Sequence, residues 1–123
     1  MKLFLAAAMA LGVVVGHAAT SRAAGMNNGW DSITITQDQC VTAAATAVER
    51  TGFAMQRDAN SAWGFRPNDG ITVRCIAQRQ LVVFFVHLGQ GDGAAARTLL
   101  DHLRAAFTAA APARTGTTPA PAR

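Results

Sequence analysis

Apolar and polar residues follow different periods in different parts of the chain, and each period predicts an element. The first predicted strand runs from Trp30 to Thr36, because Ile33 and Ile35 alternate with threonines. Strict alternation of apolar and polar positions is typical of a half-buried strand. The ordered domain is expected to begin at about Asn27, and this short strand is its first element.

A helix from Gln37 to Thr51 is the next predicted element. Thr36 and Gln39 have the spacing of a capping box, in which each side chain bonds the backbone N–H of the other residue. Gly52 stands where a helix often ends on a left-handed residue. One apolar stripe at helical spacing supports this helix, formed by Cys40, Val41, Ala44, Ala47 and Val48.

Three further strands are predicted after this helix. Phe53 and Met55 alternate with polar or small residues, and the same alternation recurs over 71–76. Residues 81–88 (LVVFFVHL) are apolar at almost every position, which favours a central strand covered on both faces. Between them, residues 59–70 are rich in Asn, Asp, Gly and Pro and are predicted to be a loop.

The last predicted element is a helix with Asp92 as its N-cap. Its apolar stripe comprises Ala96, Leu99, Leu100, Leu103 and Phe107. The predicted order is strand, helix, strand, strand, strand, helix. We expect a two-layer α+β domain over residues 27–108, with a mostly antiparallel sheet and both helices on one face.

The two ends of the chain have a different pattern. Lys2 precedes an uncharged apolar run from Leu3 to Val15, and small residues follow at the positions that signal peptidase reads. The run is shorter than the roughly 20 residues that cross a bilayer. Residues 1–18 are therefore predicted to be a signal peptide, with a second possible cut after Ala23, and the mature protein to be periplasmic or secreted. Residues 109–123, made of Ala, Pro, Thr, Gly and Arg, are predicted to be a disordered tail.

The formal net charge of +4 does not reside in the predicted domain. Four of the basic residues lie in the leader, its junction or the tail. Between residues 25 and 108 the chain has seven arginines and seven acidic residues, so the predicted domain is neutral. A neutral exported domain is not expected to bind nucleic acid, and no membrane span remains once the leader is removed.

Cys40 and Cys75 are the only cysteines. Both are predicted to point into the layer between helix and sheet, and an oxidising compartment preserves disulfides. We therefore expect them to form a structural disulfide. The alternatives are a redox pair, which usually has closely spaced cysteines, and a zinc site, for which only His87 and His102 are at hand.

No motif in the chain predicts catalysis or a cofactor. Gly89, Gly91 and Ala94 match the dinucleotide-binding spacing, but no strand follows the last helix to complete the required βαβ unit. The histidines, serines and acidic residues show no spacing of a triad or a carboxylate pair. We expect no catalytic residue, no metal and no cofactor.

Two surfaces are candidate binding sites. The first is the predicted loop around Trp63, whose candidate ligand-binding residues are Trp63, Phe65, Arg66, Arg57 and Asn60. Aromatic rings combined with Arg and Asn donors can hold a sugar, a peptide or a protein. In the alternative interpretation, Trp63 and Phe65 fold inward and cap a small core.

The second candidate surface is the face of the sheet that two helices on one side leave uncovered. Val82, Phe84 and Val86, or else their neighbours on the same strand, would then form an apolar interface. Alternatively, the Trp63 loop or the first strand covers this face.

The chain also resembles an uncharacterised group of small exported bacterial proteins that have one cysteine pair and a Trp-Gly loop. The shared features include Gln39-Cys40 at the start of an Ala-rich helix, Trp63-Gly64 and Arg74-Cys75-Ile76. The resemblance implies a compact, disulfide-bearing envelope domain and nothing catalytic. The glycine-rich link over 89–93 is longer than the resemblance predicts.

The sequence thus predicts an exported, non-enzymatic binding domain. Its expected partner is another envelope protein or a second copy of the chain. One alternative is a small-ligand binder that takes a sugar or envelope fragment at the Trp63 loop, and another is an envelope enzyme without a recognisable motif.

Overall fold

The computed structural model describes residues 24–113, which form one antiparallel sheet of five strands and two α-helices. The predicted signal peptide and residues 114–123 lie outside the described residues. The elements in chain order are β1 (Gly25–Ser32), α1 (Gln37–Arg50), β2 (Ala54–Arg57), β3 (Ser61–Arg66), β4 (Asp69–Ile76), a 3-10 turn (Ala77–Arg79), β5 (Leu81–Leu88) and α2 (Gly93–Ala110).

The strand order across the sheet is β1-β5-β4-β3-β2. Strands β2 to β5 form a continuous antiparallel meander, and β1 adds to the free edge of β5. Helix α1 packs on β2, β3 and β4, whereas α2 packs on β1 and β5. The α+β class is thereby confirmed, with one strand more than predicted.

The additional strand is β3, which occupies half of the segment predicted to be a loop. It pairs with β2 on one side and β4 on the other. The prediction was wrong because the polar residues that punctuate 59–70 are confined to its two ends. Asn68, after Pro67, has a φ of 67° and completes the tight turn into β4, as position i+2 of a type II turn requires.

Strand β1 lies earlier than predicted, at Gly25–Ser32 instead of 30–36. Its partner decides its position, because β1 pairs with the whole of β5, from Gly25 opposite Leu88 to Ser32 opposite Leu81. Ile33 is buried just after the strand, and its N–H donates to the Gln80 carbonyl at 2.9 Å.

Helix α1 begins at the predicted residue and ends at Arg50, one residue before the predicted Thr51. Thr36 and Gln39 form the reciprocal capping box, and Gly52 follows the helix with a φ of 83°. The Gln37 side chain links this end of the helix to the sheet: its amide nitrogen donates to the Cys75 carbonyl, and its oxygen accepts from the Ala77 N–H, both at 3.0 Å.

Helix α2 starts at the predicted cap, where the Asp92 carboxylate accepts from the Ala95 N–H at 2.8 Å. Its buried residues are Ala96, Leu100, Leu103 and Phe107, in agreement with the predicted stripe. The helix continues to Ala110, so Ala109 and Ala110 belong to the fold and not to the predicted tail. No helix within residues 24–113 is long and apolar enough to cross a membrane.

The predicted disulfide is confirmed. Cys40 on α1 is bonded to Cys75 on β4, with Cα atoms 6.0 Å apart, and both residues are buried. Closing a loop of this length restricts the unfolded chain by about 4 kcal/mol in the chain-entropy treatment. That is a large share of the stability of a domain of this size.

Candidate functional site: the open face of the sheet

Both helices lie on the same side of the sheet. On β5, this covered face takes Val82, Phe84 and Val86, and on β4 it takes Val73 and Cys75. Among the described residues, no element lies over the opposite side. We call that side the open face. It comprises alternate positions of each strand: 26, 28, 30 and 32 on β1; 81, 83, 85 and 87 on β5; 70, 72, 74 and 76 on β4; 61, 63 and 65 on β3; and 54 and 56 on β2.

The structure corrects the predicted interface residues on β5. Val82, Phe84 and Val86 are buried beneath the helices, and Phe84 meets Phe107 edge to face with ring centroids 5.5 Å apart. Successive strand residues point to opposite faces, so their neighbours Val83, Phe85 and His87 occupy the open face. The sheet has an uncovered face, but Val82, Phe84 and Val86 form the core, and the neighbours given as the alternative take the positions on that face.

Four large hydrophobic side chains are exposed among the described residues, and all four stand on the open face. They are Met26, Trp30, Phe65 and Phe85, with exposed fractions of 73, 65, 49 and 48%. Both tryptophans of the chain belong to this face, since Trp63 lies opposite Thr72 and is half-buried. The surface is therefore an aromatic platform that extends from β1 to β3.

A row across the middle of the open face has one residue from each strand. In strand order it reads Asn28, Phe85, Thr72, Trp63 and Gln56, because each of these residues lies directly opposite the next. Polar and aromatic side chains thus alternate along the row. We call it the central row.

A groove of about 400 Å³ runs beside the central row, between β1 and β4. Gly70 lies opposite His87 in the next row of the face and contributes no side chain there. A Cβ atom added to Gly70 would meet only the Gly64 carbonyl oxygen, 4.0 Å away. The groove is lined by Met26, Asn28, Gly70, Thr72, Phe85 and His87, among others.

The charge on the open face has one sign. Arg74 is exposed there, between Val83 and Ser61 on the adjacent strands, and no position of the face holds Asp or Glu. Among the described residues, ion pairs join Arg66 to Asp69, Arg97 to Asp101 and Arg104 to Asp31, whereas none involves Arg74. Arg74 is therefore an unneutralised cation within an aromatic surface.

The five residues predicted to bind a ligand around Trp63 do not form one site. Trp63 and Phe65 lie on the open face, whereas Arg66 lies on the other side, with its guanidinium carbon 3.9 Å from the centre of the Phe53 ring. Arg57 lines a separate cavity, together with Asp38. The alternation of strand residues separates them, and sequence proximity was the wrong guide.

Asn60 lies between β2 and β3, where its carbonyl accepts from the Cys75 N–H at 2.8 Å and its own N–H donates to Asp58. Its contacts are those of a turn that supports the sheet. The two aromatic residues of the predicted loop remain, and they join the open face. The two surfaces considered separately from the sequence are therefore a single surface.

A cavity of about 650 Å³ lies at the end of β1 beside the C-terminal turn of α2. Asp31 and Arg104 line it and form a two-pronged ion pair, in which Arg104 Nε donates to Asp31 Oδ2 at 2.9 Å. The hydrogen bonds to Asp31 raise the pKa of Arg104 above its ordinary value, against the opposing effect of partial burial. Because the two charges satisfy each other, this cavity lacks the free charge that the open face has.

Metal-binding clusters are not found in the described part of the chain: no three His, Cys, Asp or Glu side chains lie close enough together to hold an ion. His87 is on the open face and His102 is exposed on α2. No protein-family model matches the chain, and no curated protein matches it either.

The contribution of β1 to the open face was not predicted from the sequence. Met26, Asn28 and Trp30 alternate with Asn27 and Gly29, and this alternation carries the signature of a strand with one large-residue face. The signal was weak because the inward positions are Gly and Asn, which are unusual in a strand. Helix α2 packs on this side of β1, where the nearest atom to a Cβ at Gly29 would be Leu100 Cδ2, at 3.5 Å.

Proposed function

We propose that this protein is an exported, non-catalytic binding domain and that the open face is its binding surface. The observation that carries the proposal is that all four large hydrophobic side chains exposed within residues 24–113 lie on that one face. Apolar side chains scattered singly over a surface are ordinary, but a contiguous patch marks an interaction site. The covered face already supplies the core, so the exposed surface of the open-face aromatic residues is not needed to fill it.

Export is supported by the leader pattern of the sequence and by the disulfide. A domain of about 85 residues has a small core, and a disulfide that stabilises it is useful only where the bond persists. The expected measurement is the intact mass of the protein recovered from the envelope or medium. It should match cleavage after Ala18 or Ala23 and the loss of two thiol hydrogens.

A binding role is supported over a catalytic one by the chemistry available on the open face. Both cysteines are held in the disulfide, so neither offers a nucleophilic thiol. His87 has no carboxylate beside it on this face to orient it as a base. The side chains that remain are suited to stacking and hydrogen bonding.

The experiment is sedimentation of the purified protein with isolated cell envelopes of the producing organism. Phe85→Ala should reduce the bound fraction at least tenfold, because it removes the centre of the aromatic platform. The matched control is Arg97→Ala on the far side of α2, which should leave binding unchanged. Equal binding of the wild type and Phe85→Ala would contradict the proposal.

Self-association is the second candidate use of the same face, since two sheets can pack face to face about 10 Å apart with their apolar sides together. Analytical ultracentrifugation of the mature protein separates the two. A dimer that Phe85→Ala dissociates would assign the open face to a second copy of the chain. A monomer leaves the face free for another molecule.

A further inference from the structure

The central row has the spacing of a surface that holds separate rings. Phe85 on β5 and Trp63 on β3 are separated by Thr72 on β4. Adjacent strands lie about 4.8 Å apart, so the two aromatic side chains stand roughly 10 Å from each other. A ligand lying across the strands meets an aromatic side chain on every second strand.

Hydrogen-bonding side chains occupy the strands between and beyond the two aromatic residues. They are Asn28 and Gln56 at the ends of the row and Thr72 in its middle. Amide and hydroxyl groups both donate and accept hydrogen bonds, whereas the negative face of an aromatic ring attracts weakly positive C–H groups. A chain with C–H-rich ring faces and hydroxyl-rich edges satisfies both kinds of side chain at once, and an oligosaccharide is such a chain.

An extended peptide fits this surface less well. Peptides that bind sheets usually add a strand at an edge and use main-chain hydrogen bonds, which the middle of a sheet face does not offer. The central row crosses all five strands, but it consists of side chains. It does not involve the backbone N–H and C=O groups at the outer edges of β1 and β2. Its side chains therefore favour a ligand that binds through rings and hydroxyls.

Arg74 determines the charge of that ligand. It is two residues from Thr72 on β4, so it stands beside the middle of the central row. Among the described residues it has no acidic partner, and the face contains no acidic residue. A guanidinium binds a carboxylate with two parallel hydrogen bonds, so a carboxylate on the middle sugar of the chain complements the surface.

Provided that the open face is the binding surface proposed above, we infer that its ligand is an acidic oligosaccharide, which lies across the strands along the central row and places a carboxylate on Arg74. Phe85 and Trp63 stack on two of its rings. Asn28, Thr72 and Gln56 bond its hydroxyl groups.

The test is a calorimetric and fluorescence titration of the mature protein with hexagalacturonate and with the same oligosaccharide methyl-esterified. Both tryptophans lie on the open face, so their fluorescence reports directly on its occupation. Hexagalacturonate should bind and shift the emission, and the uncharged ester should bind at least tenfold more weakly. Arg74→Gln should weaken the acid to the level of the ester, whereas the control Arg97→Gln should change neither affinity.

A second variant guards against loss of the fold. Gly70→Leu places a side chain in the groove beside the central row, at a position where an added Cβ meets nothing closer than 4.0 Å. It should keep the wild-type circular dichroism and weaken hexagalacturonate binding at least tenfold. A folded Gly70→Leu that binds as tightly as the wild type would overturn the inference.

Three other results would overturn it. Equal affinity for the acid and its ester would remove the role of Arg74. Tighter binding of hexaglutamate would assign the face to an acidic peptide instead. Absence of any response to hexagalacturonate, while envelope binding remains sensitive to Phe85→Ala, would reject the acidic sugar and leave the proposed binding surface intact.

Discussion

Phe84 and Phe85 are neighbours on β5 and have opposite environments. Phe84 is fully buried between the sheet and Phe107, whereas Phe85 is 48% exposed on the open face. The same contrast extends across the sheet, where one face forms the core and the other presents aromatic side chains to solvent. The covered face explains why the chain folds. The open face lies outside that core, and we propose that it serves binding.

The two faces also differ in how their polar groups are placed. Apart from Asp31, which is paired with Arg104, the charged side chains on the helix side lie at its periphery or on the outer surfaces of the helices. On the open face, Asn28, Thr72 and Arg74 stand among the aromatic residues. Interleaved polar and aromatic groups give directional contacts, which a packed core does not need.

The phenylalanine pair should show the largest difference between the faces. Phe84→Ala removes a fully buried ring and should lower the free energy of unfolding by about 3–5 kcal/mol. Phe85→Ala should cost less than about 1 kcal/mol, because half of its surface is already in solvent. Urea unfolding followed by circular dichroism measures both. Equal losses would mean that the open face is also part of the core.

Loss of the disulfide should reduce the stability of the fold without changing the structure of the open face. The double change Cys40→Ala and Cys75→Ala should lower the free energy of unfolding by about 2–5 kcal/mol, because it removes the link between α1 and β4. At low urea, the folded fraction should keep the tryptophan emission of the wild type, since both tryptophans lie on the open face. A variant as stable as the wild type would show that the crosslink contributes nothing.

Two glycines on adjacent strands provide a matched pair. A Cβ at Gly64 on the covered face would lie 2.6 Å from Ile71 and 2.7 Å from Phe53, so Gly64→Ala should cost about 1–3 kcal/mol through overpacking. On the open face, the Cβ of Gly70→Ala meets only the Gly64 carbonyl oxygen, at 4.0 Å, so this change should be neutral or slightly stabilising. Thermal unfolding of the two variants measures the contrast, and similar midpoints would contradict the assignment of the faces.

The smallest difference is expected between neighbours on β1. Trp30→Gln, on the open face, should change the free energy of unfolding by no more than about 0.5 kcal/mol. Asp31→Asn, on the covered side, weakens the half-exposed ion pair with Arg104 and should cost about 1 kcal/mol or less. Retention on a phenyl column should fall for Trp30→Gln and stay unchanged for Asp31→Asn.

The parts of the fold that depend on local chemistry were predictable. The capping box at Thr36, the N-cap at Asp92 and the bounds of β5 all follow from residues close together in the chain. The disulfide followed from the apolar stripe that contains Cys40 and the strand face that contains Cys75. In each case the residues concerned determine their own local geometry.

The parts that depend on distant partners were not predictable. The position of β1 is determined by its pairing with β5, about 55 residues later in the chain. The sequence of β5 does not show which face each residue occupies, because both its odd-numbered and its even-numbered positions are mostly apolar. Either set could face the core, and a shift of one residue in strand pairing exchanges the two faces. For this reason Trp63 and Phe65 were identified as candidates and Phe85 only as a neighbour that could replace Phe84, whereas Trp30 and Arg74 were not identified.

The central claim is that the open face is occupied where the protein acts, and oxidative footprinting tests it directly. Hydroxyl radicals are generated in intact envelopes and in a solution of the purified protein, and oxidation is measured by mass spectrometry at Met26, Trp30 and Phe85. His102, exposed on α2, is the internal control. Occupation of the open face predicts oxidation several-fold lower in envelopes at the three open-face residues, with His102 unchanged. Equal oxidation at all four residues in both preparations would contradict it.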